Sequence, residues 1–148
     1  MVDCVFCRIV AGAAPARIVA TYPSSIALLP LRPAVAGHVL VIPRRHVTGV
    51  LGLDRNTAYV LTDAVLDVAA RVHAVIHPDG MNVVQSTGAA ATQTVHHLHV
   101  HVVPRHSGDN LPDIWPPQRD WPAAALDHLA VRLSAAGGAG QRDPATTT

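Results

Sequence analysis

The segment TVHHLHVHVVPR, residues 94–105, places imidazoles at three alternate positions. In a β-strand alternate side chains share one face, about 6.5 to 7 Å apart, so His97, His99 and His101 are predicted to line one face of a strand. A buried imidazole must be hydrogen-bonded, which makes a row of three unusual as simple sheet filler. The aliphatic residues expected to point the other way, into the core, are Leu98, Val100 and Val102.

Two kinds of chemistry are open to this row of histidines. A His-x-His pair can chelate zinc, and three imidazoles with an open coordination position would form a hydrolytic metal site. Alternatively, one neutral imidazole attacks phosphorus while a neighbour donates to the phosphate oxygens. On a straight strand His97 and His101 would lie about 13 to 14 Å apart, too far to share one ion. The spacing therefore favours nucleophilic chemistry at a phosphate.

A loop of small residues, 88–91, comes shortly before the histidines. Gly88 and the three alanines after it leave room for backbone N–H groups to approach an anion, and Gln93 and Thr94 add polar groups at the edge. The loop alone is weak evidence, but beside the histidines it supports a phosphate site.

The chain has two cysteines, Cys4 and Cys7, separated by two residues. This spacing favours a metal site or a redox pair over a disulfide framework, although two reduced thiols without a role are a real alternative.

The predicted elements that position these residues form an α+β domain with an antiparallel sheet. RIVATY and SIALL are predicted as a hairpin around Pro23, and GHVLVIP, residues 37–43, as a third strand. A long amphipathic helix is predicted after Asp54, its N-cap, and ends before Pro78. MNVVQS and HLHVHVVP follow as strands, and WPAAALDHLAVRLSAAGG as a last helix. The apolar face predicted for the long helix comprises Val60, Ala64, Val65, Val68, Val72, Val75 and Ile76.

Composition limits the function classes. The 148 residues are 49% hydrophobic, enough for one core, so a single domain is expected over residues 1–136, with a disordered tail over 137–148. A net charge of +1 and 3% aromatic residues argue against a nucleic-acid surface or a membrane patch. The segment MVDCVFCRIVAG lacks the pattern of a signal peptide, so a cytoplasmic location is expected.

The chain resembles the histidine triad (HIT) superfamily, whose signature is His-φ-His-φ-His-φ-φ with φ apolar. The matching residues are 97–103, HLHVHVV. The similarity extends through CVFCRIVAG, the stretch RPAVAGHVLVIPRRHV at 32–47, MNVVQSTG and Trp115, and so covers residues 4–115. The resemblance implies a HIT-like fold, with a five-stranded antiparallel sheet per subunit that continues across a homodimer.

The resemblance also implies a reaction at the α-phosphorus of a nucleoside phosphoramidate, aminoacyl adenylate or dinucleoside polyphosphate. By position in the motif, His99 would be the nucleophile and would carry the nucleotidyl group until water or another acceptor removes it. His101 would bind the phosphate oxygens, Thr94 would assist the leaving group and His38 would complete the hydrogen-bonded network. The remaining phosphate- or nucleotide-binding positions would be Ser86, Thr92, Gln93 and Val95.

One branch of the superfamily with an N-terminal Cys-x-x-Cys holds structural zinc. The corresponding ligands here would be Cys4, Cys7, His46 and His97, a closed tetrahedral set. This assignment would give His97 to the metal and leave His99 and His101 for the phosphate.

The chain departs from the family pattern at three positions. Pro30 stands where an acidic or amide residue usually holds the ribose hydroxyls, Ser86 replaces an asparagine or glutamine, and Thr92 replaces a glycine. The lost ribose contact at Pro30 leaves open a nucleotide-binding or partner-docking protein with little turnover. A third hypothesis, independent of these departures, is a metallohydrolase that uses the histidine row itself.

Overall fold

The structure, a computed structural model, describes residues 4–136, which form five strands and three helices. The strands are β1 (Arg17–Thr21), β2 (Ser25–Leu29), β3 (Val39–Pro43), β4 (Gly80–Gln85) and β5 (Val100–Arg105). The helices are α1 (Val5–Val10), α2 (Arg55–Ile76) and α3 (Ala123–Ala136).

The five strands form one antiparallel sheet in the order β1-β2-β3-β5-β4. The hairpin of β1 and β2 turns around Pro23, where the Tyr22 N–H donates to the Ser25 carbonyl at 2.9 Å. The predicted α+β class, the five-stranded sheet, the long helix and the C-terminal helix are confirmed.

Helix α2 begins as the sequence predicts, because the Asp54 side chain accepts a hydrogen bond from the Thr57 N–H at 2.8 Å. The prediction of its apolar face was wrong at Val60 and Val75, which are 37% and 74% exposed. Val60 lies about 100° around the helix from Leu61, which takes its place in the core. The buried residues of this helix are Leu61, Ala64, Val65, Val68 and Val72.

The two faces of the sheet carry different layers. One face packs against α2, and its core includes Ala27, Val41 and Val102. The other packs against α1, with Phe6 as the central apolar side chain. Directly opposed residues of antiparallel strands project to the same face, and His101 is opposite Leu40 of the α1-side core. His101 therefore lies on the α1 face.

Strand β5 starts later than the sequence predicts. His97, Leu98 and His99 precede the strand, which begins at Val100 because β3 and β4 pair with β5 only from that residue onward. The expectation of three histidines in one regular strand was wrong for His97 and His99. The predicted burial of the alternating aliphatic residues is confirmed, since Leu98, Val100 and Val102 all lie in the core beneath α2.

The chain divides into two compact units between Asp109 and Asn110. The first contains the sheet, α1 and α2; the second contains α3, which has no buried residue. One domain over residues 1–136 stays a prediction, and the tail proposed for 137–148 lies outside the described residues. Within residues 4–136, no helix combines the length and apolar character that a membrane span requires.

Candidate functional site

His99 is held in one tautomer by a backbone group. Its Nδ1 lies 2.8 Å from the carbonyl oxygen of His97, and a carbonyl can only accept, so Nδ1 carries the proton. The other ring nitrogen, Nε2, then has a free lone pair. The side chain is buried, and the ring of Phe6 packs edge-on against it with centroids 5.3 Å apart. His99 is therefore a fixed imidazole whose Nε2 has an available lone pair.

A chain of hydrogen bonds fixes His38 and His101 in the other tautomer, with the proton on Nε2. The Ala34 N–H donates to Nδ1 of His38 at 3.1 Å, so Nε2 of His38 carries the proton and donates to Nδ1 of His101 at 2.9 Å. A neutral His101 then carries its own proton on Nε2. The His99 and His101 rings lie 4.9 Å apart between centroids. The site thus pairs an imidazole lone pair with an imidazole N–H donor.

Burial keeps His101 neutral. Loss of solvation, with smaller contributions from the nearby His99 and His38, lowers the pKa of His101 from 6.5 to about 4. Burial also lowers the pKa of His38. Both groups are consequently uncharged at neutral pH, as the hydrogen-bond chain requires.

Acid is expected to destabilise the fold through this pair. Between pH 6.5 and about 4, His101 binds a proton in the unfolded chain but not in the folded one. Its contribution to the free energy of unfolding is therefore complete above pH 6.5 and is lost as the pH falls towards 4. Denaturant unfolding at a series of pH values checks this. Metal ligands also titrate in acid, so the comparison is with His101→Asn, which should show a flatter profile. Identical profiles for the two proteins would contradict the prediction.

The loop before the histidines is built around Gln93, which is buried. Its Oε1 accepts from the Gly88 N–H at 2.7 Å, and its Nε2 donates to the carbonyls of Thr48 at 2.6 Å and Val95 at 3.0 Å. These three bonds set the path of residues 88–95. The Gln93 side chain thus shapes the loop, and its polar atoms are occupied by backbone groups.

Of the N–H donors expected from residues 88–91, those of Gly88 and Ala91 are used within the loop. Ala91 and Thr92 donate to Gly88 and Ala89 inside a short 3-10 turn, and the Gln93 N–H also donates to Gly88. The N–H groups of Thr92 and Gln93 are therefore engaged within the loop, and a phosphate-binding role for these two residues stays a prediction. Among the described residues, the N–H groups of Thr94 and Val95 have no protein acceptor.

Thr92 ends the 3-10 turn with φ at 65°, in the left-handed region that glycine adopts without strain. At the position where the family pattern has glycine, Thr92 thus has a backbone conformation that glycine adopts readily. Ser86 directly follows β4, and its carbonyl accepts from Nε2 of Gln85 at 2.7 Å. None of the contacts in the described chain joins Ser86 to the histidines.

A second cluster lies beside the first. The ligand atoms of four residues all lie within 4.8 Å of one another. Nδ1 of His97 is 3.4 Å from Sγ of Cys4 and 3.5 Å from Sγ of Cys7, and Nδ1 of His46 is 3.2 Å from Sγ of Cys7. The members of this cluster, here called the Cys-His cluster, are Cys4, Cys7, His46 and His97.

The cluster fits a four-coordinate metal ion. With metal–sulfur and metal–nitrogen bonds of about 2.3 and 2.0 Å, the sulfur–nitrogen edge of a tetrahedron is about 3.5 Å, close to the separations here. Nε2 of His97 donates to the Pro43 carbonyl at 2.9 Å, so Nδ1 keeps a lone pair directed at the thiols. These four residues, predicted from the sequence as one ligand set, could hold a metal ion.

Phe6 is the residue of this region that sequence reasoning missed. It lies between Cys4 and Cys7 and packs edge-on against both His97, at 5.7 Å between centroids, and His99. Its signal was available, since it is the only phenylalanine in the chain. Pro43 was also missed, because it acts through its backbone carbonyl, a group that every residue type has.

Comparisons with known proteins agree with this geometry. The HIT domain family matches residues 11–108. A structure from Streptococcus mutans UA159 superposes with a TM-score of 0.87 and 34% identity, covering 92% of this chain and 86% of that one. A Zn-bound histidine triad family protein from Mycobacterium smegmatis gives a TM-score of 0.71 and 35% identity, covering 90% and 97%.

A curated relative adds a named activity. The adenosine 5′-monophosphoramidase hnt1 of Schizosaccharomyces pombe is 36% identical over 104 residues, which cover 70% of this chain and 74% of that protein. The family match spans most of the first compact unit, including every histidine of the motif. By sequence, by fold and by the residues brought together at the site, this chain belongs to the HIT domain family.

Proposed function

We propose that this protein is a nucleotide hydrolase or nucleotidyltransferase that forms a covalent nucleotidyl intermediate on His99. The observation that carries the proposal is the 2.8 Å hydrogen bond from Nδ1 of His99 to the His97 carbonyl, which leaves Nε2 with a lone pair. A positioned imidazole divides one difficult displacement at phosphorus into two easier steps. The first acceptor is then His99 and the second is water or another nucleophile.

In the first step Nε2 of His99 bonds to the α-phosphorus of the substrate. The bond from phosphorus to the leaving group breaks, and the leaving group departs with that electron pair and takes a proton from solvent. We assign assistance of this departure to the hydroxyl of Thr94, which is exposed. The imidazole becomes a cation whose Nδ1–H strengthens its bond to the His97 carbonyl. The carbonyl therefore favours the intermediate over the free enzyme.

In the second step water attacks phosphorus, releases a proton to solvent and returns the electron pair to Nε2. In both steps the phosphate oxygens carry extra negative charge. The Nε2–H of His101 and the N–H groups of Thr94 and Val95 are the donors that we assign to those oxygens. Because these donors are held by the His38 chain and by Gln93, they need little rearrangement as charge develops.

A phosphoramidate is the first substrate class to test. The relative from Schizosaccharomyces pombe is named an adenosine 5′-monophosphoramidase, and the lone pair left on Nε2 of His99 supports the same kind of displacement here. The competing proposal is nucleotide binding with little turnover. It is supported by Pro30, which has no polar side chain at the position where the family pattern has a ribose-binding residue. Aminoacyl adenylates and dinucleoside polyphosphates are the further candidates.

The proposed metal is zinc in a structural role. Two thiolates and two imidazoles form a closed set without a position for water, so the ion would add stability and no Lewis acid for the reaction. Zinc is named in the related Mycobacterium smegmatis structure. The ligands in this chain would be those of the Cys-His cluster, and a homodimer in the cytoplasm is proposed as the working form.

We expect the site to discriminate only weakly between ribose and 2′-deoxyribose. A cavity of 420 Å³ lies at the end of β2, lined by Pro15, Ala16, Arg17, Leu28, Leu29 and Leu31. Leu28 is opposite Leu40 and Leu40 is opposite His101, so two strand spacings, about 10 Å, separate the cavity from the site. Arg17 is the one charged lining residue and can only donate to a hydroxyl oxygen, and none of the lining residues has a carboxylate or amide side chain that could accept a hydrogen bond from a hydroxyl.

We therefore predict that adenosine and 2′-deoxyadenosine 5′-phosphoramidates have kcat/KM values within about tenfold of each other, since discrimination of a hydroxyl needs a partner in the site. Steady-state kinetics on both substrates measures this ratio. Pro30→Asp should shift the ratio towards the ribose form. A wild-type preference of several hundredfold for ribose would show that another group reads the hydroxyls.

The function itself is tested by a panel of adenosine and guanosine phosphoramidates, aminoacyl adenylates and dinucleoside polyphosphates. Release of the nucleoside monophosphate is followed for the wild type, with His99→Gly as the blank. Turnover above the blank for at least one class is expected. Tight binding by calorimetry with no turnover in any class would favour the binding protein instead.

A further inference from the structure

The nucleophile lies on a segment that the sheet does not hold. His97, Leu98 and His99 precede β5, and the register with β3 and β4 begins only at Val100. Two backbone bonds remain close by, from the His97 N–H to Val95 at 2.8 Å and from the Leu98 N–H to Val47 at 2.6 Å. A catalytic imidazole must keep its position within a fraction of an ångström, so other contacts have to fix this segment.

The His97 side chain supplies the missing contacts. It is fully buried, at 0% exposure, and both ring nitrogens are engaged. Nε2 donates to Pro43 at the end of β3, and Nδ1 faces the sulfur atoms of Cys4 and Cys7 at 3.4 and 3.5 Å. The carbonyl of the same residue accepts the Nδ1–H of His99. One residue therefore joins the Cys-His cluster to the nucleophile.

We propose that His97 is a positioning residue through which metal binding at the Cys-His cluster sets the orientation and tautomer of His99. The inference rests on the proposed function and goes beyond a purely stabilising metal. A metal bond to Nδ1 is far stronger than the weak hydrogen bond that a thiol can make there. Without it the ring and the carbonyl of His97 shift, and His99 loses the acceptor that keeps the proton on Nδ1.

Phe6 provides a second link between the Cys-His cluster and His99. It lies between the two cysteines in sequence and touches the rings of both His97 and His99. A metal ion that binds Cys4 and Cys7 therefore also fixes the ring that packs against the nucleophile. Of the groups assigned to the phosphate, His101 is tied to His38, outside the cluster, and Val95 is held by Gln93 as well as by His97. Loss of metal is expected to affect the chemical step more than substrate binding.

The experiment compares zinc-loaded and chelator-treated protein at a temperature where circular dichroism shows both to be folded. We expect kcat to fall by about 10- to 100-fold without metal, the range for loss of an orienting partner, while KM changes little. Nitrogen-15 NMR of the histidine rings provides a readout independent of activity. His99 should be a single Nδ1–H tautomer with metal and a mixture without it.

Two variants separate positioning from stability. Val68→Ala removes buried volume from the core on the α2 face of the sheet, whereas Cys4 lies in the core on the α1 face, and it should lower Tm while zinc content, kcat and the His99 tautomer stay as in the wild type. Cys7→Ser keeps three ligands, so kcat should rise with zinc occupancy during a titration. This variant serves as the test if the chelated wild type unfolds.

Metal-free, folded protein with the kcat and tautomer of the loaded form would overturn the inference, as would a Cys7→Ser kcat that is independent of zinc occupancy. A different result would indicate that the proposed function is wrong: His99→Gly would then have the same activity as the wild type. In that case the NMR readout still decides whether metal binding orients His99.

Discussion

His99→Gly is expected to lower kcat for a nucleoside phosphoramidate by about 10⁴-fold or more, the size of effect seen when a covalent nucleophile is removed. Glycine deletes the nitrogen that we propose attacks phosphorus and leaves the His101 and loop donors in place. Substrate affinity, measured by calorimetry, should change far less than kcat. The deleted ring also leaves a gap at the site, so added imidazole should restore part of the rate.

The matched control for this variant is His96→Gly. His96 is exposed, immediately precedes His97, and is expected to have no part in the reaction. Its kcat should equal that of the wild type, and both proteins should show the same circular dichroism. If His99→Gly retained the wild-type rate, the nucleophile would have to be another group.

Removal of the metal is expected to produce the largest change in stability. With free zinc about 1,000-fold above its Kd, the ion contributes on the order of 4 kcal/mol to the free energy of unfolding. A loss of that size lowers Tm by about 10 °C for a chain of this length. Cys4→Ser removes a buried ligand and weakens zinc binding, so at low free zinc its Tm should approach that of the chelated wild type. Differential scanning calorimetry and elemental analysis measure the two quantities together.

Purified without chelator, the wild type should contain about one zinc ion per chain, as a single four-ligand site requires. His96→Ala provides the control, because it removes an imidazole beside the cluster without removing a ligand, and should keep both zinc and Tm. Absence of zinc in the wild type with both thiols intact would refute the site. An unchanged Tm after complete removal of zinc would refute its structural role.

The sequence was sufficient where local chemistry decides the structure. Asp54 caps α2, and the alternation of Leu98, Val100 and Val102 predicted which side chains enter the core. The histidine motif identified the family before any geometry was known. The four residues of the Cys-His cluster were also predicted together, although 93 positions separate Cys4 from His97. That prediction came from the resemblance, since spacing alone cannot place distant ligands together.

Other features depend on contacts that no local pattern encodes. The start of β5 at Val100 is set by where β3 and β4 can pair with it, so HLHVHVVP looked like one uninterrupted strand. The left-handed backbone of Thr92 and the buried amide of Gln93 depend on the closure of the loop around Gly88 and Thr48. The tautomers of His99 and His101 depend on backbone groups of His97 and Ala34, which residue types do not reveal.

Trapping of the covalent intermediate tests the central claim most directly. The wild type is mixed with a nucleoside phosphoramidate labelled at the α-phosphorus and is quenched within milliseconds in alkaline detergent, because the bond from phosphorus to imidazole hydrolyses in acid. We predict label on the protein, confined to the peptide that contains His99 and absent from His99→Gly. Turnover without labelled protein, or equal labelling of the glycine variant, would contradict a nucleotidyl intermediate on His99.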